Sequence, residues 1–226
     1  MILRRVIEHV RHQEWTAIGI DFVIVVFGVF FGIQVANWNE DRLTRAKAEV
    51  FTARLKEDLK AEAWRYQFLL EYYRDVRDAT EAAADALSGK APLSNEVFLV
   101  HAYRATQYKQ GASRRATYDE LISTGNVGLI EDRKLLNLAV RAYSVVTIDA
   151  TVKEGVESPY RALFRMSVSN DTQRALAKQC GDRYILPGDY TDFDHVIDYA
   201  CESGLPDAEV DAAAEALRAD PQTLRF

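Results

Sequence analysis

The residues able to do chemistry are few and scattered along the chain. Four histidines are present. His9 and His12 stand three apart, which suits two ligands on one helical turn, but no third ligand lies near them. His101 shares a helical stretch with Tyr103 and Arg104. His195 ends the run Asp192-Phe193-Asp194-His195, close to Asp189 and Asp198. Carboxylates at that density either hold a cation or form a solvated acidic loop. Cys180 and Cys201 are the only cysteines and lack the Cys-x-x-Cys spacing of a redox centre. An even pair in one domain suits a disulfide in an oxidising compartment, and two buried free thiols are the alternative. Gly125-Asn126-Val127-Gly128 offers backbone N–H groups to an anion at a helix start, or turns the chain between two helices. There is no His-Glu-x-x-His, no Gly-x-Ser-x-Gly, no phosphate-binding glycine loop and no kinase signature. Neither catalysis nor a cofactor or metal is expected from these residues.

A different chemistry, that of helix association in lipid, is written between Trp15 and Trp38. Gly28-Val29-Phe30-Phe31-Gly32 is a G-x-x-x-G, continued by Ala36, and small residues at this spacing let two helices approach closely. Asp21 lies seven residues before Gly28, on nearly the same face, where it can hydrogen-bond across a dimer. Glycine is also common in membrane helices for no such reason. A homodimer, or a membrane-protein partner meeting this face, is the expected association.

The element carrying these residues is a transmembrane helix over residues 15–38. Thirteen Ile, Val and Phe side chains lie between Ala17 and Ala36. At about −0.3 to −0.6 kcal/mol each they outweigh Asp21, which costs at most about 3.5 kcal/mol. A helix separates the two tryptophans by roughly 35 Å, enough for a hydrocarbon core of about 30 Å with an interfacial aromatic at each end. The stretch is long for a cleaved signal, and Asn37-Trp38-Asn39-Glu40 is no cleavage site. Residues 1–14 read as a short basic amphipathic stub touching lipid headgroups or fixing orientation, with Arg4, Arg5 and Arg11. Arg42, Arg45 and Lys47 follow the span, so the positive-inside count is nearly tied. Long domains translocate largely regardless of charge, and the cysteine pair suits an oxidising side. The expected topology has the N-terminus in the cytoplasm and the domain in the periplasm, across a bacterial inner membrane.

Beyond the span an all-α domain is expected. Helix-favouring residues dominate, with five prolines and eleven glycines in 226 residues. The net charge of −6 lies wholly outside residues 1–38. An acidic domain with no basic stripe is a poor partner for nucleic acid. No glycine or proline occurs between Ile33 and Ser88, so the span should run on as one helix from about Thr16 to Leu87. Its apolar stripe passes through Leu55, Leu59, Ala63, Tyr66, Leu70 and Tyr73, and this face should pack on the later helices. Residues 39–170 should form a bundle on this stalk, and residues 171–226 a small helical subregion with the cysteines. Helix starts are expected at Ser94 or Asn95 (running to about Tyr108), Thr117, Asp132 and Ser158-Pro159, the helix from Asp132 continuing to Ala150. Further helices are expected near 171–180, 192–203 and 207–219.

The span end Gly32-Ile33-Gln34-Val35-Ala36-Asn37-Trp38-Asn39-Glu40, the stretch Leu55-Lys56-Glu57-Asp58-Leu59 and the run Thr117-Tyr118-Asp119-Glu120-Leu121-Ile122-Ser123-Thr124-Gly125-Asn126-Val127-Gly128-Leu129-Ile130 together resemble a family of single-span bacterial membrane proteins built on a domain of unknown function. An acidic residue at the start of the span, here Asp21, matches as well. The resemblance covers about residues 14 to 145. It implies the architecture and a membrane location and transfers no catalytic residue. Two function classes follow: a membrane-anchored, non-catalytic interaction module, or a membrane-bound enzyme or ligand-binding, sensor-like domain with a site assembled from scattered side chains.

Overall fold

A computed structural model describes residues 15–145, 147–191 and 195–223. The amphipathic stub over 1–14, with His9 and His12, lies outside the described residues, as do Asp192 and Asp194. The described chain is all-α. Helix α1 (Trp15–Leu87) is followed by α2 (Asn95–Arg104), α3 (Ala116–Ser123), a 3-10 turn (Asn126–Leu129), α4 (Arg133–Ser144), α5 (Thr147–Val156), α6 (Pro159–Ser167), α7 (Asn170–Cys180) and α8 (Asp207–Ala219).

α1 is about 110 Å long at 1.5 Å per residue. It runs unbroken because nothing between Ile33 and Ser88 interrupts its hydrogen-bond ladder. Gly89, at φ 76°, then turns the chain in a left-handed conformation that a side chain would strain. Local caps start the later helices. Ser94 accepts from the Val97 N–H, Asp132 from Lys134 and Leu135, Ser158 from Arg161 with Pro159 behind it, and Ser169 from Thr172.

Three cores are strung along α1. Phe51, Leu55 and Leu59 pack with Leu121, Ile130 and Ala139 nearest the apolar end. Trp64, Phe68, Leu69 and Tyr72 meet Val196 and Ile197 in the middle. At the far end Ala83 joins a larger core built from α2, α6, α7 and α8, including Phe98, Phe164, Leu176 and Leu217.

Four expectations need correction. The buried face of α1 passes through Leu69 and Tyr72, whereas Leu70 is 54% exposed and Ala63 is also on the solvent side. The buried face instead keeps a seven-residue spacing, from Leu55 to Glu62 to Leu69 and from Arg65 to Tyr72. The charges at 62 and 65 hide this register from a reading that follows apolar residues. α2 ends at Arg104, not Tyr108, because Thr106 Oγ1 and Gln107 Nε2 both donate to the Tyr103 carbonyl and end the ladder. The helix that Asp132 caps stops at Ser144, and α5 begins separately at Thr147. Val145, a β-branched residue, takes an extended conformation there (φ −78°, ψ 116°) and ends the helix. Finally, the described residues of 192–203 form no α-helix. They return toward α1, with the Arg183 N–H donating to the Val196 carbonyl at 2.9 Å, and place Val196 and Ile197 in the middle core.

Candidate functional site

Among the described residues one helix is long and apolar enough to cross a membrane, and the described chain buries none of its apolar window. Every residue from Gly19 to Lys47 is exposed. Trp15 and Trp38 stand free at the two ends of the window, and Asp21 projects from its first turns. A side chain built at Gly28 or Gly32 would meet no other atom, so both glycines, with Ala36, leave a shallow track open to a neighbour. Between Trp38 and the first packed residue, Phe51, lies a bare helical neck of about 20 Å.

Two polar centres on α1, among the described residues, hold buried charge. The first is Glu62, whose carboxylate is 1% exposed. It accepts from Arg65 Nε and Nη2, from Ser113 Oγ and from the Arg114 N–H. Burial alone would raise its pKa, but the Arg65 hydrogen bonds, the Arg114 amide and the Arg65 charge together hold it below the ordinary value. This centre straps the extended stretch 111–114 onto the stalk.

The second joins Asp75 of α1, His101 and Arg104 of α2, and the segment Asp198-Tyr199. Burial, then the Asp198 carboxylate, pushes Asp75 up to about 6, against a hydrogen bond from the Asp198 backbone. His101 is pushed down by burial and then by Arg104. Arg104 Nη2 donates to the Tyr199 carbonyl at 2.6 Å, lies 3.5 Å from Cys201 Sγ, and its guanidinium stacks on the Tyr199 ring. Asp75 Oδ2, His101 Nδ1 and Arg104 Nε are all buried without a hydrogen-bond partner. The disulfide between Cys180 at the end of α7 and Cys201, Cα atoms 5.5 Å apart, closes the loop that delivers Asp198 and Tyr199 here. The arrangement holds protons and charge. It contains no nucleophile beside a base.

The two described carboxylates near His195, Asp189 and Asp198, have different partners. Asp189 accepts from the Thr191 N–H and hydroxyl in a local turn, while Asp198 faces Asp75. Among the described residues no three His, Cys, Asp or Glu side chains gather as metal ligands. An open hollow of about 400 Å³ between the end of α2, α6 and α7 is edged by Arg161, Arg165 and Arg174. Arg161 stacks on Tyr108 and keeps a buried Nη1 without an acceptor. Of these groups, residue type and spacing point to His101 with Arg104, to His195 with Asp189 and Asp198, to the cysteines and to the span residues. They do not point to Glu62, Arg65 or Asp75, although charges at 62 and 65 in phase with Leu55, Leu69 and Tyr72 are a visible signal.

No protein-family model matches this chain, and no curated protein and no solved structure is significantly similar to it.

Proposed function

We propose that this chain is a membrane-anchored, non-catalytic helical interaction module, with its N-terminus in the cytoplasm and its domain in the periplasm of a bacterial cell. The observation that carries the reading is the continuity of α1, whose bare apolar end and packed far end are one helix. A helix without a break couples the position of the span to the position of the domain. Lipid covers most of the bare end, and the Gly28, Gly32, Ala36 face with Asp21 is suited to meeting another helix. The cysteine bridge favours the oxidising side. Alkaline phosphatase fused after Phe226 should be active, and the chain should stay with membranes through a carbonate wash. An inactive fusion would reverse the topology, and release by carbonate would remove the anchor.

The second reading, a membrane-bound enzyme or ligand-binding domain, draws on the three unpartnered polar atoms of Asp75, His101 and Arg104. It becomes the better one if His101→Ala reproduces the phenotype of deleting the gene while the domain stays folded.

A further inference from the structure

Two opposite faces of α1 follow the same seven-residue spacing, and only one of them is used by the domain. Ala48, Leu55, Glu62, Leu69, Val76 and Ala83 recur every seven residues and point into the domain, each buried or half-buried. The opposite side of the neck carries Leu43, Ala46, Val50 and Ala53, spaced three, four and three. Nothing covers them: Leu43 is 59% and Val50 57% exposed. They are the apolar a and d positions of a heptad whose f position holds the domain. The other neck residues from Glu40 to Glu49, apart from Ala48 on the domain face, are charged or hydroxylated.

The same register runs back into the span. Asn39 falls on d at the membrane exit, Ala36 on a, Gly32 on d and Val29 on a. Lipid demands no stripe, since it accepts apolar residues all round, and water opposes an exposed one. The exposed stripe in the watery neck therefore calls for a helical neighbour, and in the span the same positions Val29, Gly32 and Ala36 are small or apolar and leave room for it to continue. The stripe ends where a and d become Glu57 and Lys60, beside the first domain core.

We infer that this seam pairs with the same seam of a second copy, as a parallel two-stranded coiled coil running from the span through the neck. The inference rests on the membrane anchor proposed above. Two copies in one membrane share direction and depth, so equal heptad positions face each other without any shift. One charge pair supports the pairing: Glu49, at g, faces Arg54 at e of the partner's following heptad, and Arg54 is half exposed while it meets its own Glu120 at 2.9 Å. Arg42 facing Lys47 opposes the pairing, and Asn39 on the seam fixes register at a cost in stability.

The test uses the full chain in its own membranes, with single cysteines introduced on the neck and copper-phenanthroline as oxidant. The native cysteines are already bridged to each other. Leu43→Cys and Val50→Cys should each give a product of twice the chain mass at least tenfold more efficiently than Thr44→Cys or Arg45→Cys. In the Val50→Cys background, Glu49→Arg should lower the yield and Arg42→Glu should raise it. Equal yields at all four positions, or a product of another mass, would overturn the inference. Co-purification of two differently tagged copies, lost on Gly28→Ile with Gly32→Ile, reports on the span alone. If that persists without a neck pattern, the seam is wrong and the anchor reading stands. Release of the chain by carbonate instead would remove the anchor.

Discussion

Arg65 Nη2 donates to Glu62 Oε1 at 2.5 Å across one turn of α1, with both side chains almost out of water. The pair lies on the stripe that elsewhere carries Leu55, Leu69 and Tyr72. Arg65 also reaches the Gly111 carbonyl, while Glu62 collects Ser113 and the Arg114 amide. The pair therefore sits where an apolar side chain would serve packing, and uses the position to bind a segment about fifty residues away in sequence.

Removing one partner should be costly. Glu62→Gln leaves a buried guanidinium without its counter-charge, and breaking such a pair typically costs about 3–5 kcal/mol. Replacing both, Glu62→Leu with Arg65→Met, should cost clearly less than the sum of the single changes. Denaturant unfolding of the four proteins in one detergent gives the coupling directly, and additive losses would show that the two residues act independently. The folded-state pKa of Glu62 is lowered, so its contribution is present above the ordinary carboxylate range and is lost as pH falls through the folded value, below 4.5.

Neighbouring leucines on α1 should behave oppositely. Leu69 is 2% exposed in the middle core and Leu70 is 54% exposed. Leu69→Asp buries an unpaired charge and should cost several kcal/mol, while Leu70→Asp should stay within about 0.5 kcal/mol. Melting curves of the two variants decide the register. A large loss at Leu70 would move the buried face back to the purely apolar stripe.

That pair also shows what could be read from the chain beforehand. Local signals held: the Ser94, Asp132 and Ser158-Pro159 starts lie where side-chain oxygens meet free amide groups, and the α1 length follows from the absence of any breaker. These depend on residues a few positions apart. The register failed between Leu59 and Leu70 because the core there is partly ionic, and apolar periodicity cannot see a buried Glu62. The Asp75–His101–Arg104 centre was invisible for another reason. Its members come from α1, α2 and the segment Asp198-Tyr199, and only the return of the chain brings them together.

Acidity should act on Asp75 with the opposite sign to Glu62. Its folded pKa, about 6, lies above the model-peptide value of 3.8. Folding thus favours the protonated acid, so this stabilisation is full below about pH 3.8 and is lost as pH rises through about 6. Asp75→Asn, which cannot ionise, should raise the melting temperature at pH 8 and change it little at pH 4. His101 runs the other way. Its lowered pKa gives stability present above 6.5 and lost as pH falls through the folded value. His101→Gln should therefore help only on the acid side. A uniform effect of either substitution from pH 4 to 8 would mean that titration is not involved.

The Cys180–Cys201 bridge should control both the middle core and the Asp75 centre. The two cysteines are 21 positions apart, and closing such a loop contributes about 3 kcal/mol in the chain-entropy account. Inside it, Tyr199 donates to the Gly181 carbonyl at 2.6 Å, and the Arg183 N–H bonds to the Val196 carbonyl. The loop thereby carries Val196 and Ile197 to Trp64 and Tyr72, and Asp198 to Asp75. Replacing both cysteines by alanine should lower stability by about that amount, and hydrogen exchange should rise at Val196 and Ile197 well before it rises in α2. Once Asp198 withdraws and water enters, the Asp75 pKa should fall toward 3.8, so the benefit of Asp75→Asn at pH 8 should shrink in the cysteine-free background. Alkylating thiols in freshly isolated membranes, with and without reductant, checks that the bridge is present in the cell. Free thiols there, or an undiminished Asp75→Asn effect without the bridge, would show that the loop holds its place by packing alone.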